Sequence, residues 1–372
     1  MIDDAGRADR EYMRRALALA ERGWGQTAPN PMVGAVVVSN AQIAGEGFHE
    51  RYGDAHAEVV ALGQARSASN GATMYVNLEP CAHHGKTPPC ADAIIRAGII
   101  RVVAAARDPS RDARGGFERL RAAGVAADLA CDEERDAAIE LNAPFFHAQT
   151  SARPWVTLKL AVSADDRIAD PAPDHRWITG AAARAEVHRL RANCDAIAVG
   201  IGTVLADDPT LTVRDAPAPR VPPRRVVFDS QARIPLPSAL VRTARDVPTT
   251  VVARPDADGS AIAALSNEGV DVLTALDLDA ALVALRAHGV RSLLLEGGAR
   301  LAGSFLERSL VDRLIIFRSR TTVGGGHALG AFDFAPAGFA ASLGRTRVVD
   351  ERPFGDDTMT IYALQEVACS PA

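Results

Sequence analysis

The 372-residue sequence has no apolar run approaching the roughly 20 residues needed to cross a bilayer, which argues against a transmembrane helix. It also lacks a basic excess: 41 Lys+Arg against 46 Asp+Glu give a formal charge of −5, with a pI near 6.0. An extended polyanion such as nucleic acid finds no overall attraction there, and a small substrate fits better. Cysteine is sparse, and the five residues at 81, 90, 131, 194 and 369 make no disulfide framework in a chain this long. Metal or structural roles are the expectation for them. No internal repeat is visible. The first residues place acids before bases and form no uninterrupted apolar core, so the N-terminus reads as that of a mature cytoplasmic protein rather than a signal peptide.

What is present is an average globular composition, 48% hydrophobic and 23% charged, in a chain long enough for two domains. Apolar spacing predicts a helix over Tyr12 to Ala20, a buried strand over Val33 to Val38, and a helix just after His56. Strand-like Thr73 to Leu78 and Val102 to Ala106 alternate with helical Ala91 to Ala97, Phe117 to Ala123 and Asp132 to Leu141, the pattern of an α/β domain. Periodicity fades between Asn142 and Pro154, which places a domain boundary there, with 1–148 as the first domain and 149–372 as the second. In the second, strands are predicted at Trp155 to Leu160, Ala196 to Val199, Arg225 to Phe228, Thr249 to Val252, Ser292 to Leu295 and Leu314 to Phe317. Helical stretches fall between most of them, so a mostly parallel sheet is expected.

The chemistry begins with His56-Ala57-Glu58, followed by Pro80-Cys81 and then Cys90. One imidazole and two thiolates suit zinc, and three protein ligands leave the fourth tetrahedral position open for water, as in catalytic zinc sites. Glu58, two residues beyond His56, reaches that water without ligating the metal. In zinc nucleobase deaminases the metal lowers the pKa of the water, hydroxide attacks an amino-bearing ring carbon, and a glutamate serves as general acid and base. If His56 and Cys81 both open helices, the helix dipoles favour hydroxide and thiolate. A buried histidine beside two core cysteines, or a purely structural zinc, is the alternative reading of the same residues. A polynucleotide deaminase with an unrelated appendage is a second enzyme reading, but no basic groove with interleaved aromatics is evident.

The second cysteine follows after eight residues, in Glu79-Pro80-Cys81-Ala82-His83-His84-Gly85-Lys86-Thr87-Pro88-Pro89-Cys90. With Pro29-Asn30-Pro31-Met32-Val33-Gly34 and Gly47-Phe48-His49 upstream, the sequence resembles the bifunctional riboflavin-biosynthesis deaminase/reductases. The resemblance continues through Arg153 to Ala161, Trp177-Ile178-Thr179-Gly180, Gly202 to Pro209 and Leu211 to Arg214, and so covers nearly the whole chain. It implies a cytidine-deaminase-like α/β/α domain with Zn2+, then a dihydrofolate-reductase-like α/β domain that uses NADPH.

By that resemblance Asn30 contacts the pyrimidine, while His49, His83 and Lys86 hold its ribose phosphate. In the second domain Ala161, Trp177, Thr203, Asp207, Ser230 and the run Gly298, Ala299, Arg300, Leu301, Ala302, Gly303, Ser304 would meet the cofactor. His175, Arg191, Leu211, Arg214 and Glu296 would meet the substrate, with Lys159 as a possible acid or sugar-orienting group. The residues themselves support one part of this: a buried strand ending in Glu296-Gly297-Gly298 before a helix is a turn able to cradle phosphate. One segment and two single positions depart from the family pattern, namely Ser110-Arg111 after Asp108-Pro109, Asp166 in place of a glycine, and His175 in place of a serine. The expected reactions are deamination of 2,5-diamino-6-(ribosylamino)pyrimidin-4-one 5′-phosphate and then NADPH-dependent reduction of its ribosyl chain to ribityl. The expected assembly is a homo-oligomer, a dimer or a tetramer.

Overall fold

The computed structural model describes residues 4–84, 88–169, 177–324 and 329–367. The chain divides into two compact units, one running to Thr150 and taking in Val367, the other spanning Ser151–Glu366.

In the first unit the strands are β1 (Gly34–Ser39), β2 (Gln42–Phe48), β3 (Thr73–Leu78), β4 (Arg101–Ala106) and β5 (Ala126–Leu129). They form one sheet in the order β2-β1-β3-β4-β5, with β1 antiparallel to both neighbours and β3, β4 and β5 parallel. Alternate residues go to opposite faces. Ala35, Val37, Met74, Val76, Val102 and Ala104 pack on one core, and Val36, Val38, Tyr75, Val103 and Ala105 on the other. Helices α2 (Ala57–Ala65), α3 (Cys90–Arg96) and α4 (Gly116–Ala122) cover the first face, and α1 (Asp4–Ala20), α5 (Asp132–Leu141) and α6 (Ala143–Thr150) the second. The result is an α/β/α sandwich. Fully buried Phe117 on α4 contributes about 2–3 kcal/mol to it by removal from water.

One feature places α2. A Cβ on Gly47 of β2 would sit 2.4 Å from the carbonyl oxygen of Ala57, and one on Gly45 2.3 Å from that of Ala61. With alanines at 57, 61 and 65 on the facing side of α2, helix and strand backbones come together more closely than any larger side chain allows.

The aperiodic stretch predicted after Asn142 is instead the helix α6. Pro144 stands in its first turn, where no intrahelical N–H is needed, and Phe146 is buried against the core. So short a helix, with aromatics side by side, carries little amphipathic signal.

The second unit holds β6 (Trp155–Val162), β7 (Arg167–Ala169), β8 (Ala196–Gly200), β9 (Arg224–Phe228), β10 (Thr249–Ala253), β11 (Asp271–Thr274), β12 (Ser292–Leu295), β13 (Arg313–Arg318), β14 (Leu329–Gly330), β15 (Val348–Phe354) and β16 (Asp357–Ala363). A nine-stranded sheet runs β11-β10-β9-β8-β12-β6-β13-β16-β15, and β7 pairs with β14 separately. From β11 to β13 every pairing is parallel, and the β15–β16 hairpin adds an antiparallel edge. That hairpin was not among the predicted strands, although Gly355, with φ +67, marks its turn. The helices are α7 (Ala181–Ala192), α8 (Ile201–Asp207), α9 (Ala239–Arg242), α10 (Gly259–Asn267), α11 (Leu278–Ala287), α12 (Ala299–Glu307) and α13 (Phe339–Leu343). Among the described residues no helix is long and apolar enough to cross a membrane.

Candidate functional site

In the first unit His56 is the N-cap of α2, and Glu58 lies in that helix's first turn with 3% of its surface exposed. Cys90 opens α3. Cys81 does not open a helix, contrary to the expectation, but follows β3 in the intervening loop. The helix terminus still acts on it, because the Cys90 amide donates to Cys81 Sγ at 3.4 Å. His56 Nδ1 lies 3.2 Å from Cys90 Sγ and 3.7 Å from Cys81 Sγ, and the ligand atoms of all three residues fall within 4.8 Å of one another. Zinc–sulfur bonds of about 2.3 Å and zinc–nitrogen bonds of about 2.0 Å span such separations tetrahedrally, so the donor set fits zinc. The Cys81 thiol is pulled down by its hydrogen bonds from Cys90 and His56, which outweigh burial, while Cys90 is held up by sharing a proton with Cys81 and by burial. Burial also raises Glu58, with His56 opposing.

These groups open onto a cavity of about 300 Å³ lined by Asn30, His49, Tyr52, Asp54, His56, Glu58, Cys81, His83, Asp108 and Ser110, among others. Cys90 is fully buried behind it, and Lys86 lies outside the described residues. His49 Nδ1 stands 3.2 Å from the carbonyl oxygen of Ala55, which only accepts, so Nδ1 carries the proton. The bare Nε2 then accepts from Asn30 Nδ2 at 3.2 Å, which leaves the Asn30 carbonyl oxygen for a ligand. Burial lowers His49 and keeps it in this neutral form.

Four supporting residues escaped the sequence reading. Asn77 and Asn142, both buried, bond Met32 and Gly34 through their side-chain amides and fix the segment that bears Asn30. Buried Glu79 accepts from the amides of Phe117 and Asp108 and so anchors the turn into Cys81. Gly116 permits this turn, since a Cβ there would meet the Pro80 carbonyl oxygen at 1.8 Å. A lone asparagine within an apolar strand was the available signal for Asn77; the contacts themselves span up to 110 residues.

In the second unit the carboxyl ends of β8 and β12 lie side by side, where ligands bind in open parallel sheets. Gly200 and Gly297 both approach Leu301, and Gly298, the N-cap of α12, approaches Thr203 Oγ1. Thr203, Gly298 and Leu301 are therefore brought together. Arg300 and Ser304 are exposed on the same helix, but Ala302 and Gly303 are buried, and a Cβ on Gly303 would meet the Phe334 carbonyl oxygen at 2.2 Å. These two pack the helix rather than face a ligand. Asp207 ends α8 and Ser230 follows β9, both exposed; Ala161 lies on β6. Trp177 is exposed with Arg184 over its ring at 5.1 Å, and His175 lies outside the described residues.

Arg191 grips Glu296 through Nε and Nη2 at 2.6 and 2.9 Å and donates from Nη1 to the Thr212 carbonyl at 3.0 Å. Burial would raise Glu296, but Arg191, helped by Lys159, holds it below its ordinary value. Burial pushes Lys159 down, with Glu296 opposing. The Leu211 side chain belongs to the core, and Arg214 is exposed.

Residues 154–349 match the RibD C-terminal domain, and residues 7–106 match the cytidine and deoxycytidylate deaminase zinc-binding region. The chain is 43% identical over 326 residues to the riboflavin biosynthesis protein RibD of Aquifex aeolicus (strain VF5), covering 87% of this chain and 90% of that protein. It belongs to the RibD family. The Escherichia coli (strain K12) RibD is 40% identical over 330 residues, covering 83% of this chain and 87% of its own length. The solved structure of Acinetobacter baumannii RibD, form 1, has a TM-score of 0.81 at 35% identity, covering 96% of this chain and 99% of that one.

Two departures from the RibD pattern are accommodated locally. Ser110 donates its amide to Asp108 Oδ1 at 2.8 Å and accepts the Ala113 amide on Oγ, which closes a turn at the cavity wall. Asp166 adopts φ +60, a conformation aspartate tolerates, and pairs with Arg318 at 2.7 Å.

Proposed function

We propose that this RibD chain uses its zinc-dependent deaminase unit to remove the 2-amino group of 2,5-diamino-6-(ribosylamino)pyrimidin-4-one 5′-phosphate. Its NADPH-dependent reductase unit then converts the ribosyl chain to ribityl, giving 5-amino-6-(ribitylamino)uracil 5′-phosphate. The observation that carries the reading is a three-donor zinc set beside a buried, non-ligating glutamate in one unit, joined in one chain to a RibD reductase domain.

His56, Cys81 and Cys90 hold zinc, which supplies Lewis acidity toward a water in the cavity. Glu58, fixed in the first turn of α2 and shielded from solvent, accepts the proton of that water as it adds to the amino-bearing carbon. It then returns the proton to the departing ammonia. Asn30 offers its carbonyl oxygen to a ring N–H or amino group, and His49, with both ring nitrogens engaged by protein, orients Asn30 rather than binding phosphate. His83, exposed at the cavity, and Lys86 are left for the phosphate.

NADPH supplies hydride in the second unit. Thr203, Gly298 and Leu301, with the exposed Asp207, Ser230 and Arg300, form the dinucleotide side of the crevice. Glu296, clamped by Arg191, faces the sugar with Lys159, whose depressed pKa suits it to give up a proton. Arg191 is mostly buried with three of its five N–H groups committed, whereas exposed Arg214 gives one to Thr210 Oγ1 at 3.2 Å, so Arg214 carries the phosphate contact. A cytoplasmic location belongs to this reading, and so does a homo-oligomer, a dimer or a tetramer, which light scattering checks.

The test supplies purified protein with the diaminopyrimidine phosphate, with and without NADPH, and follows ammonia and cofactor oxidation separately. Ammonia without NADPH, and oxidation only once ammonia has formed, is the expected order. Oxidation with no prior ammonia release overturns the sequence of steps.

A further inference from the structure

The loop from Asp208 to Asp215, which bears Arg214, holds Asp208, Leu211 and Asp215 at φ of +40, +48 and +52. For a bulky residue such as leucine this is a strained conformation, kept only where the surroundings enforce it. Leu211 is packed in the core and Ala239 donates its amide to Asp208 Oδ1 at 2.7 Å, and the segment beyond Leu211 is gripped from one face of α7. Arg191 donates to the Thr212 carbonyl at 3.0 Å, and three residues earlier on that helix His188 Nδ1 accepts the Arg214 amide at 3.1 Å. The spacing puts both side chains on the same face, where they grip a C=O and an N–H two residues apart. His188 is 9% exposed, and because an amide donates to its Nδ1, the ring is neutral with its proton on Nε2.

We infer that His188 is a positioning residue of the reductase: it fixes the loop so that the Arg214 guanidinium meets the substrate phosphate. The inference rests on the assignment of Arg214 to that phosphate. His188 touches neither the reacting sugar nor the cofactor in this account, so its effect falls on substrate affinity rather than on hydride transfer. Among the described residues, the charged groups that act on the ring are Arg191 from α7, Glu296 from the end of β12, and Arg214 and Asp215 from the loop. Burial and the two arginines keep it neutral against the two carboxylates, so the acceptor is present at neutral pH and is lost as pH falls through a value below the ordinary imidazole value of 6.5.

The experiment measures reductase kinetics on the deaminated ribosylamino substrate at saturating NADPH for wild type, His188→Ala, His188→Asn and Arg214→Ala. Deletion of the acceptor should raise the substrate KM about tenfold while kcat and the NADPH KM change by less than about twofold. Asparagine, whose side-chain oxygen occupies the δ position, should restore most of the affinity. It should also remove the extra acid rise of KM expected of wild type; the titration of the substrate phosphate is common to every variant. Ammonia release and thermal unfolding verify that the variants are folded. If Arg214→Ala raises KM but His188→Ala does not, the inference fails and the phosphate assignment stands. An unchanged KM in Arg214→Ala sinks both. A fall in kcat alone, or no rescue by asparagine, also overturns the positioning role.

Discussion

Replacing Gly47 by alanine adds one methyl group at the point where β2 meets the helix that carries His56 and Glu58. The new Cβ would lie 2.4 Å from the Ala57 carbonyl oxygen, 2.6 Å from the Ala61 nitrogen and 2.7 Å from Val60 Cβ. The first two are backbone atoms and no rotamer change relieves them, so the start of α2 must move by about 1 Å to reach ordinary contact. Overpacking of this kind costs about 1–3 kcal/mol. Because the displaced turn holds one metal donor and the proton-transferring glutamate, the cost falls on zinc binding, as about a 5- to 150-fold weaker affinity. Gly63→Ala in the same helix is the control: a Cβ there meets nothing within 4 Å, and the substitution should stabilise by about 0.5–1 kcal/mol through helix propensity. The assay is zinc retained against a competing chelator, together with thermal unfolding. Equal retention by the two variants would refute the claim that glycine at β2 sets the position of the site.

Chelation of zinc should stop ammonia release and leave NADPH oxidation on the deaminated substrate unchanged, which a coupled assay checks. Arg191→Ala leaves the Glu296 carboxylate with Lys159 alone, and should destabilise the reductase unit by about 2–3 kcal/mol, the partial exposure of the pair reducing the usual cost. Since Glu296 is held below its ordinary value, that stability is present above the unfolded carboxylate pKa of about 4.3 and is lost as pH falls through the lower folded value. Denaturant titrations at pH 7 and below pH 4 should show the wild-type advantage shrink. Gly303→Ala should cost about 1–3 kcal/mol by driving α12 off the Phe334 backbone, read as a lowered denaturation midpoint.

Much of this was legible in the chain. His56, Glu58, Cys81 and Cys90 announce themselves because metal chemistry restricts residue type and the ligands come in two short motifs. Most of the parallel strands announce themselves as apolar runs, but β5 and β11, short and partly polar, do not. What escaped was tertiary. Asn77 and Asn142 clamp Met32 from 45 and 110 residues away, and no local pattern reveals a partner at that distance. The helix α6 lacks amphipathic spacing, so its residues look like an aperiodic domain boundary. Arg191 has the charge of a phosphate ligand, yet its guanidinium is mostly committed to Glu296, which only the fold brings beside it. The same holds for His49, whose neighbours turn a phosphate-binding expectation into support for Asn30.

The claim at the centre is that one buried carboxylate moves the proton in the first reaction and takes no part in the second. Glu58→Gln keeps the size of the side chain and the zinc donors. Measured on protein with confirmed zinc content, it should lose ammonia release while oxidising NADPH at the wild-type rate on the deaminated ribosylamino substrate. Ammonia release at a wild-type rate from zinc-loaded Glu58→Gln would contradict the account.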